Sequence, residues 1–157
     1  MIDSHAHLDM PEFATDLSEV LERATNSGVS RILSIGIDTT SSLKALELAT
    51  AHAIIIASAG IHPSNAKLFD NQALADIAKL AKRPKVVAVG EIGLDYYRDY
   101  APRDKQKEAF SRQLELAAAL NLPVIIHCRQ AEEDLLPLLS GGGGTAGGVI
   151  HCFSGNR

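Results

Sequence analysis

Short apolar, β-branched runs alternate with amphipathic segments along the chain, and this alternation restricts the possible fold more than any other feature of the sequence. Repeated strand–helix units of this kind build a parallel sheet covered by helices. The runs are nearly continuous in apolar residues, as expected for strands that are buried on both faces. Six segments are predicted to be strands: Met1–His7, Arg31–Ile37, Ile54–Ile61, Val86–Glu91, Pro123–His127 and Gly148–His151.

The segments between these strands carry helical patterns with recognisable start signals. Ser41 or Ser42 is predicted to cap the second helix and Asn71 the third, because short polar side chains accept hydrogen bonds from free N–H groups. Pro137 is expected to break a helix that begins at Ala131 and to be tolerated only if the first turn starts near residues 134–136.

Composition predicts a single soluble globular domain, with 157 residues, 46% hydrophobic and 22% charged. No segment reaches the length of a membrane span, and Met1 leads into a strand without a basic leader, which predicts the cytoplasm and no membrane partner. Cys128 and Cys152 do not suggest a disulfide framework and are predicted to be reduced packing residues. The glycine-rich segment 141–148 lacks the Gly-Lys-Ser/Thr ending of a phosphate loop and is predicted to be a flexible connector.

The formal net charge of −4 does not favour a general basic surface for nucleic acid, which needs clustered Lys and Arg. Any anionic substrate must therefore be held locally. Two bound divalent cations would offset the formal charge at one site.

Side chains of the metal-ligand type accumulate where the predicted strands end. His5 and His7 are separated by one residue and therefore share a strand face, while Glu91, His127 and His151 end three further strands. Taken singly, a histidine on an apolar strand is more often a core residue and a glutamate the partner of an arginine. Their shared position at the C-terminal end of a parallel sheet favours one site, with imidazole and carboxylate ligands suited to Zn²⁺, Mn²⁺ or similar ions.

Five segments of the chain resemble the TatD family of metal-dependent deoxyribonucleases, in the right order and across the whole length. They are 3–9, 60–63, 89–97, 122–129 and 151–155, which read DSHAHLD, GIHP, VGEIGLDYY, LPVIIHCR and HCFSG. The resemblance implies an α/β fold of the TIM-type (β/α)₈ barrel class and a two-metal hydrolytic site that acts on DNA phosphodiesters.

The resemblance also implies residue roles. By position, the metal ligands are His5, His7, Glu91, His127 and His151, with Glu91 bridging two divalent ions (Mg, Mn or Zn) and acting as the catalytic carboxylate. His62 is expected to help hold the substrate phosphate, and Tyr97 and Arg129 are expected to assist in the same task.

The chain departs from the family in length. Family members continue through two more strands and supply a final aspartate ligand, and a barrel of this type has about 250 residues. The expected architecture is therefore an incomplete barrel, with six of the eight strand–helix units in a single domain spanning residues 1–157.

Two alternatives and one physical consequence follow. The alternatives are a related amidohydrolase acting on C–N bonds, many of which place a modified lysine where this chain has Glu91, and an inactive, truncated metal-binding remnant. The consequence concerns the strands around His5 and His151, which are left with unpaired apolar edges. We expect the chain to belong to a longer polypeptide or to self-associate, and to hydrolyse DNA poorly alone.

Overall fold

A computed structural model describes residues 1–142, 146–151 and 153. Cys152 and the glycine-rich positions 143–145 lie outside the described residues, so the predictions made for them are untested. Cys128 is a free, buried cysteine that packs in the core, as predicted.

Among the described residues, six parallel strands form one sheet in chain order, which confirms the predicted strand–helix alternation. They are β1 Ile2–Ala6, β2 Arg31–Ser34, β3 Ile55–Ala59, β4 Val86–Asp95, β5 Val124–Arg129 and β6 Gly148–His151. β4 does not end at Glu91 as predicted, because Ile92 to Asp95 go on pairing with β5 as far as Arg129. The residues of β4 beyond Glu91 are therefore part of the sheet.

In the part of the chain that the structure describes, five α-helices connect the strands: α1 Leu17–Asn26, α2 Thr39–Ala51, α3 Asn71–Ala81, α4 Arg103–Leu120 and α5 Glu132–Gly142. Two short 3₁₀ helices, Pro11–Phe13 and Pro63–Leu68, follow β1 and β3. No helix among the described residues is long and apolar enough to cross a membrane.

Aspartates cap two of the helices, so the predicted serine and asparagine caps are wrong. The Asp38 carboxylate accepts the N–H of Ser41 at 2.7 Å, and the Ser41 hydroxyl accepts the N–H of Asp38 at 2.9 Å. Asp70 accepts the N–H of Ala73 at 2.7 Å, which leaves Asn71 as the first helical residue. A carboxylate is favoured there because it also interacts with the positive end of the helix dipole.

Pro137 lies inside α5, contrary to the predicted break. The helix begins at Glu132, and the N–H of Leu135 still bonds to the carbonyl of Ala131 at 2.9 Å. A proline removes one N–H, but Ala131 and Leu135 are buried in the core against β5, and this packing offsets the lost bond.

Two large apolar clusters hold the helices on the sheet. One contains Ile55 and Ile77, and the other contains Phe110, Leu114 and Val124. Gly93 allows β4 and β5 to approach closely, because it has φ +139° and a Cβ added there would collide with the carbonyl oxygen of His127. The resulting architecture is an α/β sheet of the TIM-barrel type in incomplete form, with all C-terminal strand ends at one edge.

Candidate metal centre

One cavity of about 670 Å³ lies at the C-terminal ends of the strands. Its lining contains all five predicted metal ligands together with two of the predicted substrate contacts: His5, His7, His62, Glu91, His127, Cys128, Arg129 and His151. Tyr97 is not among the lining residues. The parallel register places the side chains there, since His127 of β5 pairs with Gly93 of β4 on one side and with His151 of β6 on the other.

Glu91 is the buried centre of this cavity. Its Oε1 lies 3.1 Å from His127 Nδ1 and 4.0 Å from His62 Nε2, and its Oε2 lies 3.4 Å from His5 Nε2. Burial alone would raise the pKa of Glu91, but the hydrogen bonds with His127 and His5 hold that pKa well below its ordinary value. Glu91 is therefore a carboxylate with both oxygens directed at imidazoles.

His127 lies between two carboxylates. Its Nδ1 faces Glu91, and its Nε2 lies 3.0 Å from Asp95 Oδ2. Burial would lower the pKa of His127, but the contacts with Glu91 and Asp95 raise it above the ordinary value. Two anionic groups around one ring are an environment that attracts positive charge, whether a proton or a metal ion.

Asp95 was not predicted as a site residue. It lies four residues after Glu91 in β4, and the alternation of strand side chains puts both on the same face of the sheet. The alternation that places Glu91 and Asp95 on one face is present in segment 89–97 of the sequence. The predicted strand ended at Glu91, so this shared face was not followed as far as Asp95.

The histidines of β1 and β6 meet on the other side of Glu91. The rings of His5 and His151 stack with centroids 3.6 Å apart and planes within 10° of parallel. The His7 ring, one residue after β1, lies edge-on to His5 with the ring centroids 5.2 Å apart, so the two histidines converge as predicted. Burial lowers the pKa of His151, which favours the neutral ring that a metal requires.

His62 is held by its own helix turn. Its Nδ1 accepts the N–H of Ser64 at 3.1 Å, and its Nε2 is the nitrogen directed at Glu91. Burial lowers its pKa to about 4, more than the charge of Glu91 raises it, so the ring is neutral at pH 7. Because Nδ1 accepts a hydrogen bond, the neutral ring carries its proton on Nε2, the nitrogen that faces Glu91 and can donate to an anionic ligand.

Ligand atoms converge in two overlapping groups that share Glu91. In each group the atoms all lie within 4.8 Å of one another: His5, Glu91 and His151 in the first, and His62, Glu91 and His127 in the second. Among the described residues His7 belongs to neither group, although it lines the same cavity. A carboxylate shared by two sets of imidazoles fits a pair of ions such as Zn²⁺ or Mn²⁺.

Arg129 and Tyr97 form a pair at the edge of the cavity. The Arg129 guanidinium lies over the Tyr97 ring, 3.8 Å from the centroid, and Tyr97 is 56% exposed. Arg129 thus lines the cavity, whereas Tyr97 contacts Arg129 but is not among the lining residues.

Two buried glutamines of α4 fix the backbone around this site, and sequence reasoning missed both. Gln113 accepts the N–H of Ile61 at 2.7 Å and donates to the Ile61 carbonyl at 3.1 Å, directly before His62. Gln106 accepts the N–H of Asp95 at 2.8 Å and donates to the Asp95 carbonyl at 3.2 Å. A helical glutamine carries no signal of such a long-range partner in a single sequence.

The fold and the site together define a class: barrel-type α/β proteins that hold divalent metal ions with histidines and carboxylates at the C-terminal strand ends. A family model described as TatD related DNase matches residues 2–157. The chain belongs to this family.

Curated relatives and solved structures agree with that assignment. The metal-dependent hydrolase YabD of Bacillus subtilis is 44% identical over 99% of this chain and 62% of its own length. The 3'-5' ssDNA/RNA exonuclease TatD of a Rahnella strain is 40% identical over 100% of this chain and 60% of its own length. The crystal structure of the TatD homologue YJJV from Escherichia coli K12 has a TM-score of 0.93 at 34% identity, covering 99% of this chain and 61% of that one. The chain thus spans about three fifths of the length of the relatives that it matches.

Proposed function

We propose that this chain carries the metal-binding strands of a TatD-type hydrolase that cleaves DNA phosphodiester bonds with two divalent metal ions. The observation that carries the proposal is the pair of ligand groups sharing Glu91 in one cavity. A relative with 40% identity bears the name of a single-stranded DNA and RNA exonuclease, which supports a nucleic acid as the substrate.

Each residue of the site has a proposed role in this reaction. His5 of β1, His7 one residue after β1 and His151 of β6 would hold one ion, His127 would hold the other with His62 beside it, and Glu91 would be shared by both. Two ions bound there would polarise the phosphoryl oxygens and make water a stronger nucleophile. Arg129, whose guanidinium lines the cavity, binds the substrate phosphate.

Asp95 keeps His127 in position for this work. Its Oδ2 contacts the Nε2 of His127, so the other nitrogen of that ring stays directed at Glu91. A carboxylate that fixes the orientation of a ligating histidine is a common device in metal sites. His62 is proposed to contact the substrate phosphate through the Nε2–H that faces Glu91.

The variant Glu91→Gln tests the metal site, because it keeps the shape of the side chain and removes its charge. We expect calorimetry with Mn²⁺ or Zn²⁺ to give two ions for the parent chain. The variant should bind more weakly by more than the roughly 10–100-fold that a change outside the ligand set costs. Far-ultraviolet circular dichroism should be unchanged.

His52→Gln is the matched control, since His52 follows α2 and contributes to neither ligand group. It should bind metal like the parent chain. Equal metal affinity in Glu91→Gln would refute the bridging role. Metal-dependent hydrolysis of a dihydropyrimidine in place of DNA would favour the amidohydrolase alternative.

Self-association belongs to the same proposal. β1 and β6 are the edges of the described sheet, and Ile2 and Val149 on them are 62% and 56% exposed. Unpaired apolar edges pair with other chains. Light scattering after gel filtration should show oligomers, and Val149→Lys should reduce them, whereas a monomer at all concentrations would refute the expectation.

The cytoplasm is the compartment that we propose, as expected from the sequence. Cell fractionation with an antibody against the chain tests it. Recovery in the membrane or extracellular fraction would contradict it.

A further inference from the structure

A second cavity of about 550 Å³ adjoins the metal cavity. The two share five lining residues: His7, His62, Glu91, His127 and Arg129. The part that belongs to the second cavity alone includes Ser64, Asn65, Arg98 and Tyr100. Its volume lies in the range of about 300–1,000 Å³ that small-molecule sites occupy.

The loop that lines this cavity is fixed to the metal centre through Asp95. Asp95 Oδ1 accepts the N–H groups of Tyr97 and Arg98 at 3.0 and 2.8 Å, while its Oδ2 contacts His127. One carboxylate therefore joins the loop backbone to a proposed metal ligand. This connection holds the backbone that leads to the side chains of Arg98 and Tyr100 beside the metal centre.

Arg98 presents an available positive charge in the cavity. Its Nη1 donates to the Tyr100 hydroxyl at 3.2 Å, and its guanidinium lies 5.9 Å from the centroid of the Tyr100 ring. Within the part of the chain that the structure describes, no carboxylate oxygen lies within 4.0 Å of the Arg98 or Arg129 guanidinium, so both keep N–H groups for an anionic ligand. Tyr100 is 54% exposed, and an exposed ring offers a stacking surface.

The basic lining continues away from the metal centre. A third cavity of about 370 Å³ shares Tyr100 with the second and contains Lys67 and Arg103. Arg103 lies 3.8 Å from Asp99, while Lys67 is exposed. Cations and aromatic rings that alternate along a groove are the pattern by which proteins bind single-stranded nucleic acid.

We propose that the cavity of Arg98 and Tyr100 is a binding subsite for the nucleotide next to the scissile phosphodiester of a single-stranded nucleic acid. Arg98 binds the phosphate of that nucleotide, and Tyr100 stacks on its base. The strand leaves the metal centre through this subsite toward Lys67. The inference rests on the proposed function, because it assumes that the scissile phosphate lies at the metal centre.

Fluorescence anisotropy with a short labelled oligothymidylate and Mn²⁺ tests the subsite in the 157-residue chain. We expect Arg98→Gln to weaken binding about five- to tenfold and to lower the salt slope of binding by about 0.7, the value for one lost contact to a single-strand phosphate. Tyr100→Ala should weaken binding about 5- to 150-fold with the salt slope unchanged, since stacking carries no charge. Tyr100→Phe should retain most of the affinity.

Arg31→Gln is the matched control, because Arg31 begins β2 at the opposite end of the strands. It should bind like the parent chain. The subsite is refuted if Arg98→Gln behaves like Arg31→Gln, if Tyr100→Phe loses as much affinity as Tyr100→Ala, or if the parent chain does not bind the oligonucleotide.

Hydrolysis of bis(p-nitrophenyl) phosphate separates this inference from the proposed function, because that diester has no neighbouring nucleotide. Metal-dependent hydrolysis combined with unchanged binding in Arg98→Gln would refute the subsite and keep the proposed function. Failure of the parent chain to bind Mn²⁺ in calorimetry, combined with the expected binding losses, would support a nucleic-acid subsite and count against the two-metal hydrolase.

Discussion

Gln113 supports the site at a distance, and its replacement by methionine has a cost that the structure allows to be worked out. Gln113 is 0% exposed, and its amide makes three hydrogen bonds, two of them to the backbone of Ile61. Methionine has a similar length without polar atoms. Gln113→Met therefore leaves the N–H and the carbonyl of Ile61 without this partner in a position that is 2% exposed.

Each unsatisfied buried group costs about 1–3 kcal/mol, whereas the Ala109 carbonyl keeps its bond within the helix. After the gain from burying an apolar side chain, we expect Gln113→Met to lower the free energy of unfolding by about 2–4 kcal/mol. That is a large fraction of the 5–15 kcal/mol typical of a domain. With a urea m-value near 2 kcal/mol/M, the unfolding midpoint should fall by about 1–2 M.

Gln72→Met is the control, because Gln72 is an exposed glutamine on α3 whose amide bonds only to Asp76. It should change the free energy of unfolding by less than about 0.5 kcal/mol. A loss in Gln113→Met no greater than in this control would mean that water or a rearranged backbone satisfies Ile61, and the argument would be wrong.

Gln113→Glu adds a test of direction. The new side chain still accepts the Ile61 N–H, but it meets the carbonyls of Ile61 and Ala109 with an oxygen, which is favourable only if that oxygen is protonated. The folded state should therefore raise the pKa of this carboxyl above its unfolded value of about 4.3. Its stabilising contribution is then complete below the unfolded pKa and is lost as the pH rises through the folded pKa. Relative to the parent chain, Gln113→Glu should lose stability from pH 4 to pH 8, and the opposite trend would refute the hydrogen-bond assignment.

Three further substitutions test the fold around the site, each by urea unfolding. Gly93→Ala should lower the free energy of unfolding by about 2–6 kcal/mol, because the new Cβ collides with the His127 carbonyl and φ is +139°. In its control, Gly28→Ala, the Cβ meets no atom within 4 Å and only the φ of +84° is unfavourable. Phe110→Ala removes a fully buried ring and should cost about 3–5 kcal/mol, against less than 1 kcal/mol for Leu68→Ala, whose side chain is 63% exposed. Tyr96→Phe loses the 2.6 Å hydrogen bond to Asp134 and should cost about 1 kcal/mol. Equal costs within a pair, or no cost for Tyr96→Phe, would contradict these assignments.

The strands and the convergence of the histidines were predictable because they depend on local patterns. Continuous apolar runs identify buried parallel strands, and the parallel arrangement alone brings His5, Glu91, His127 and His151 to one edge. The end of β4 was missed for a physical reason. A glutamate is rarely fully buried without a partner, so Glu91 predicted the end of the strand. Here three imidazoles, from β1, β5 and the turn after β3, compensate its burial.

The division of the ligands into two groups depends on side-chain directions that no sequence pattern states. His62 is expected from the resemblance to hold the substrate phosphate, and Ser64 fixes its ring so that the Nε2–H faces Glu91. His7 lies close to His5 but outside both groups of the described residues. These differences depend on the orientations of a few side chains. The order of strands and helices does not determine those orientations.

One helix connects the two sides of the site, and this explains why the glutamines of α4 are buried at all. Gln106 and Gln113 are seven residues apart, which is close to two helical turns, so they lie on the same face of α4. One binds the backbone of Asp95 at the end of β4, and the other binds Ile61 after β3. Asp95 is the last residue of β4 and Ile61 lies beyond the end of β3, and a glutamine offers the backbone at each place a donor and an acceptor together. Because both sets of bonds run to one helix, α4 links the backbone before His62 to the backbone of Asp95, the residue that contacts His127.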